Sequence, residues 1–291
     1  MYKLQSIAIM AGLVGLFALF AFALLGWVGA LLVVGAGILL NGLLFRRTAG
    51  LILRMHRARP LSRWEALQLH RVGAELAQRA GIARPELLVY PADMPNAFAI
   101  GAGRGVVALS TGLLRLLDLR ELRGVLAHEF AHLKNRDSAL SLSAGVFVEA
   151  IGGLSQLVWV LALVSLFFGG GGVLVAGGWG LLVLVGLAPL GTGLLQAGLL
   201  RTRERMADLD AAEMSGDPRG LASALHKLGE YGKYVRGVMR RLRFIYTSEG
   251  EVEGEAGWMR WWRSHPGTEE RVRALLGMEA AWAARQWKVA V

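Results

Sequence analysis

Five residues carry most of the chemistry legible in this sequence: His128-Glu129-Phe130-Ala131-His132. On a helix, histidines four apart lie one above the other on one face, so both imidazoles can bind one Zn²⁺. Glu129 is rotated off that face but stays beside the ion. There its carboxylate can act as general base on a zinc-bound water whose pKa the metal has lowered towards 7. The bland alternative is two solvated histidines on a surface helix. The flanks Gly124, Val125, Leu126, Ala127 and Leu133 argue against it, because they describe a mostly buried helix, and buried imidazoles and carboxylates need partners.

A catalytic zinc takes three protein ligands and keeps one position open. The chain has no cysteine, so the third ligand must be His, Asp or Glu. This also removes Cys nucleophiles, Cys-ligated zinc and iron–sulfur clusters. Arg201-Thr202-Arg203-Glu204-Arg205-Met206-Ala207-Asp208 offers two carboxylates at i and i+4. In that spacing Glu204 can bind the metal while Asp208 accepts a hydrogen bond from the far nitrogen of a zinc histidine. Asp137, Asp210 and Glu213 are rivals for the ligand role, and the pair also fits a solvated charged face beside three arginines.

The elements that must position these groups are set by two apolar tracts. The 291 residues are 54% hydrophobic and only 19% charged, with 39 glycines and a mean hydropathy of +0.45. That excludes a disordered chain and is too apolar for an ordinary globular surface. Residues 4–45 carry no charge, and 138–200 carry one, Glu149. A span needs about 20 apolar residues, so each tract accommodates two. They break at Gly26–Gly29 and at Gly169–Gly172. The first is too long for a signal peptide and is followed directly by a second span.

The net charge of +10 is not a nucleic-acid signature, because the cations flank the apolar tracts. Lys3, Arg46, Arg47, Lys134, Arg136, Arg201, Arg203 and Arg205 all lie at the ends facing the polar segments, and the two turns carry none. By the positive-inside rule both termini and both polar segments are cytoplasmic. Four parts follow: membrane hairpin one (1–47), the first part of a catalytic domain with the zinc helix (48–138), membrane hairpin two (139–200), and the second part with the third ligand (201–291). Residues 62–80 and 120–135 read as helices. Leu87–Tyr90, Ala97–Ile100 and Val106–Leu109 read as short strands. The second polar part reads as helical apart from an acidic Gly-rich loop at 247–257. The fold class is an α-helical multi-pass membrane protein, four spans as two hairpins, with a mainly helical α+β zincin-type domain containing a small sheet. Glu149 within a span suggests a wet cavity or a polar partner such as Gln156. The cluster Trp258–Arg263 suits either a membrane interface or a core.

At these residues the sequence resembles the HtpX family of integral-membrane zinc metalloproteases, related to the CAAX prenyl proteases. The resemblance covers nearly the whole chain. Its further motifs are Pro95-Asn96-Ala97-Phe98-Ala99, Ser110-Thr111-Gly112-Leu113-Leu114, Arg203-Glu204-x-x-Ala207-Asp208, and Ser264-His265-Pro266 followed by Arg271. Gly267 and Arg205 depart from the family pattern without removing a group that the chemistry needs. The resemblance implies one Zn²⁺ per chain held by His128, His132 and Glu204, with His265 and Arg271 stabilising the oxyanion. It also implies that Asn96, Ala97 and Phe98 form a strand pairing with extended substrate.

The function expected is a zinc endopeptidase of a bacterial-type inner membrane. It would cleave membrane or misfolded polypeptides close to the cytoplasmic surface, a quality-control and stress-response role, with no nucleic-acid partner. The alternatives are an intramembrane site-2-type protease, a prenyl-protein protease, and a non-hydrolytic transporter or metal-binding scaffold. Charged residues bracketing the zinc helix count against the first, the number of spans against the second, and the lack of matching broken helices against a transporter.

Overall fold

The computed structural model describes residues 2–101, 105–168, 172–241 and 267–289. In chain order the elements are α1 (Tyr2–Met55), β1 (Arg59–Pro60), α2 (Leu67–Ala80), β2 (Glu86–Tyr90), β3 (Ala97–Ile100), β4 (Val106–Ser110), α3 (Thr111–Leu116), α4 (Leu119–Asn135), α5 (Asp137–Phe167), α6 (Gly172–Ser215), α7 (Pro218–Arg241) and α8 (Thr268–Val289). The chain forms two compact units. One draws on residues up to 47 and on 139–202, the other on 48–138 and the described parts of 203–256 and 266–291.

Among the described residues, three helical stretches, lying mostly in the first unit, are long and apolar enough to cross a membrane: Tyr2–Leu32, Asp137–Val164 and Val183–Ser215. Gly26 interrupts α1 with φ 67°, a left-handed conformation that glycine adopts without steric penalty. This is the position where the sequence predicts a turn. Phe17, Phe20, Phe147, Ile151 and Val185 pack these helices together, while Leu19, Phe22, Leu157 and Leu161 face outwards. Glu149 and Gln156 are both exposed.

The second unit is a four-stranded sheet of order β1-β2-β4-β3 covered by helices. β2 and β4 run parallel, while β3 lies antiparallel to β4 at one edge. Alternation sorts the strands' side chains between two cores. Leu87, Val89, Val107 and Leu109 face Leu126 and Phe130 of α4. Leu88, Tyr90 and Ala108 pack with Leu53 and Phe98 on the other face. Two glycines permit close approaches that any side chain would block. A Cβ on Gly112 would fall on the Asp93 carbonyl, and one on Gly124 would lie 2.7 Å from the Leu221 backbone, where α4 meets α7.

Several elements differ from the sequence reading, and α6 runs on to Ser215, past the predicted end of hairpin two at 200. α2 begins at Leu67 rather than 62, because Glu65 folds back onto Arg59 and the Ser62 N–H and holds 62–66 as a turn. β1 has no counterpart in the reading, since an Arg-Pro pair carries no strand pattern. α1 runs on to Met55, beyond the predicted end of hairpin one at 47. The 247–257 loop and the Trp258–Arg263 cluster lie outside the described residues.

Candidate metal centre

α4 carries the His-Glu-x-x-His segment, and its two ends are fixed locally. At the start, Asp118 accepts from the Glu121 N–H while Glu121 accepts from the Asp118 N–H, a reciprocal capping box. At the end, Arg136 takes a left-handed conformation (φ 56°), and its N–H bonds back to the His132 and Leu133 carbonyls. The chain restarts at once as α5, which leaves Asp137 beneath His132. Between these ends His128, Glu129, Phe130 and Ala131 are buried.

The two imidazoles stand edge to face, with their Nε2 atoms 3.1 Å apart. Glu204 on α6 lies against both. Its Oε2 is 3.7 Å from His128 Nε2 and its Oε1 is 3.7 Å from His132 Nε2. One ligand atom from each of the three residues falls within 4.8 Å of the others. Ligands about 2.0–2.1 Å from a tetrahedral zinc stand about 3.3 Å apart. The observed separations bracket that value, so the donor set fits the ion in chemistry and in spacing.

The outer nitrogens of both rings face carboxylates. His128 Nδ1 is 3.1 Å from Asp208 Oδ1, and His132 Nδ1 is 2.7 Å from Asp137 Oδ2. An imidazole that gives its Nδ1 proton to a carboxylate keeps the Nε2 lone pair free and aimed inwards. Arg271 of α8 grips Asp208 with two bonds of 2.8 Å. Its Nη1 is 3.2 Å from Glu204 Oε2, and its Nη2 is 3.5 Å from His128 Nε2. Burial works against the Arg271 charge. The Asp208 contact, reinforced by Glu204 and Glu129, outweighs it and carries the guanidinium pKa above its usual value.

The structure therefore brings together His128, Glu129, His132, Glu204, Asp208 and Arg271. The rival carboxylates sit elsewhere: Asp137 on the outer side of His132, Asp210 2.6 Å from Asn135 Nδ2, and Glu213 exposed. Asn96 is exposed at the head of β3, and Ala97 and Phe98 are half-buried within that edge strand, against which α4 packs. His265 lies outside the described residues.

The family model of peptidase family M48 matches residues 63–279, a stretch that contains the whole constellation. The chain belongs to peptidase family M48. It is 36% identical over 280 residues to a protease HtpX homolog of Salinibacter ruber, covering 94% of this chain and 97% of that protein. It is 37% identical over 234 residues to a protease HtpX homolog of Pyrococcus furiosus, covering 78% of each. Among solved structures, the crystal structure of S. mikatae Ste24p superposes with a TM-score of 0.51 at 19% identity. That match covers 93% of this chain and 63% of that one, a likeness of fold. With its three apolar helices, the protein is an HtpX-like M48 membrane metallopeptidase.

Within this M48 site, the sequence reading names Asp137 only as a rival ligand and misses its contact with His132. Arg203 enters there only as a cation flanking the apolar tract and as part of the Glu204 motif; its guanidinium pairs with Asp137. The available signal was positional. Asp137 follows directly on Arg136, which caps α4, and Arg203 directly precedes Glu204.

Proposed function

We propose that this chain is a four-span zinc endopeptidase that hydrolyses peptide bonds in membrane or misfolded proteins, at a site close to the cytoplasmic surface of a bacterial-type inner membrane. The observation that carries this reading is the convergence of His128, His132 and Glu204 beside the buried Glu129. The near-membrane position is supported by chain order: the apolar helix α5 begins two residues after α4, and Glu204 follows an apolar stretch on the same helix.

His128, His132 and Glu204 would hold Zn²⁺, which when bound supplies Lewis acidity to the scissile carbonyl and to the attacking water. Asp208 and Asp137 keep the imidazoles in the tautomer that points Nε2 inwards. Glu129 takes the proton of the attacking water and passes it to the leaving amine. Arg271, held by Asp208 yet within reach of the ligand atoms, presents positive charge to the developing oxyanion, and His265 is assigned the same task. The outer edge of β3, at Asn96, Ala97 and Phe98, offers backbone groups to an extended substrate.

Cleavage of casein by the detergent-purified, zinc-loaded full chain, beside Glu129→Gln, tests the reading. The wild type should cleave and the variant should lose at least about 100-fold, each holding about one zinc. Zinc in both with cleavage in neither favours the non-hydrolytic scaffold. Zinc in neither removes the metal centre altogether.

A further inference from the structure

Each histidine of the site is backed by an aspartate, and each aspartate by an arginine. His128 leads to Asp208 and then to Arg271. His132 leads to Asp137 and then to Arg203. We propose that Asp137 and Arg203 are positioning residues that orient His132 and lock it in register with Glu204, so that the metal site is assembled before the metal arrives. The proposal rests on the metallopeptidase reading and goes beyond it, because neither residue touches the metal position or the substrate.

Three observations carry it. Asp137 and Arg203 are almost fully buried, with 4% and 7% exposure. A buried ion pair is costly to desolvate and is poor evidence of added stability, so this one calls for another reason to exist. The pair also joins two elements that each supply ligands. Asp137 follows the helix of the histidines, and Arg203 is the neighbour of Glu204 on α6. Finally, Arg203 Nη2 also donates to the Asn135 carbonyl at 3.0 Å, tying the end of α4 to the ligand-bearing turn of α6. One guanidinium thus holds the last carbonyl of the zinc helix and the carboxylate that holds His132. Losing it frees both the ring's rotation and the spacing between the helices.

The test is direct measurement of zinc affinity on the full-length protein in detergent, by competition with a chromophoric chelator, together with the cobalt(II) absorption spectrum. The variants are Asp137→Ala, Arg203→Met, the double variant, and the conservative Asp137→Asn and Arg203→Lys. Glu213→Gln, at an exposed position of the same helix, serves as a nearby charge control. Each single removal should weaken zinc binding about 10–100-fold and alter the cobalt spectrum. The double variant should be no worse than the poorer single one, as expected for groups acting in series. The conservative variants should recover part of the affinity, and Glu213→Gln should bind like wild type. Equal affinity in wild type and variants overturns the inference while the metallopeptidase reading stands. A zinc-free melting point that falls while the folded fraction keeps wild-type affinity and spectrum makes the pair merely structural, and also overturns it. Absence of zinc binding in the wild type overturns the reading beneath it.

Discussion

The two histidines of the candidate metal centre are one helical turn apart but depend on different parts of the chain. His132 is held by a neighbour five residues on, whereas His128 is held by Asp208, which is itself gripped by Arg271. Substitutions along the second arm should therefore act at long range. Arg271→Lys keeps the charge but loses the planar fork that matches a carboxylate. We expect kcat/KM for casein to fall about 10–100-fold with about one zinc retained, and unchanged kinetics would show that the fork is dispensable. Glu204→Gln replaces a carboxylate of the candidate metal centre by a neutral amide. Zinc content after chelator dialysis should drop from about one per chain to near zero with the far-UV spectrum preserved, and full retention would mean that another carboxylate completes the site. The histidines and Glu129 were legible because their spacing is itself the chemistry. Asp137 was not, since its contact depends on Arg136 adopting a left-handed conformation, which no side-chain pattern announces for an arginine.

At the scale of elements, α4 is the pillar of the site, and both its start and its packing can be probed. Glu121 is buried on this helix. Burial raises its pKa, but Lys227, Ser223 and the Asp118 N–H together outweigh that and leave it below the usual glutamate value. A carboxylate whose folded pKa is depressed stabilises the fold above its unfolded pKa, about 4.3. That stability is lost as pH falls through the lower folded value. The melting point of the wild type should therefore drop below about pH 4.3 by more than that of Glu121→Gln, and parallel pH profiles would remove this role. Gly124→Ala places a methyl on the Leu221 backbone, an overpacking that costs about 1–3 kcal/mol and should appear as a lower melting point. The strands could be read because β2, β3 and β4 are short apolar runs bounded by Pro, Asn and Gly. β1 and the start of α2 could not, because Arg59, Ser62 and Glu65 settle them by hydrogen bonds invisible to hydropathy. The break in α1 was legible at Gly26 for the opposite reason: it lies where two glycines flank Trp27-Val28 in an otherwise unbroken apolar tract.

At the scale of the whole molecule, the placement of charge predicts which side of the bilayer each segment occupies, and the absence of cysteine makes that easy to test. Val28 and Trp64 are both exposed. With single cysteines introduced one at a time, Val28→Cys should react with a membrane-impermeant maleimide on intact spheroplasts. Trp64→Cys should react only after permeabilisation, and the reverse pattern would invert the topology. The order of elements has a further consequence, one of timing. A nascent chain synthesised through α4 already has both histidines and Glu129, yet Glu204 lies beyond the second apolar tract. The ribosome must complete that tract before the carboxylate exists at all. A truncated or stalled product therefore carries Glu129 and two imidazoles without Glu204, so the candidate metal centre stays incomplete until the second apolar tract has been made.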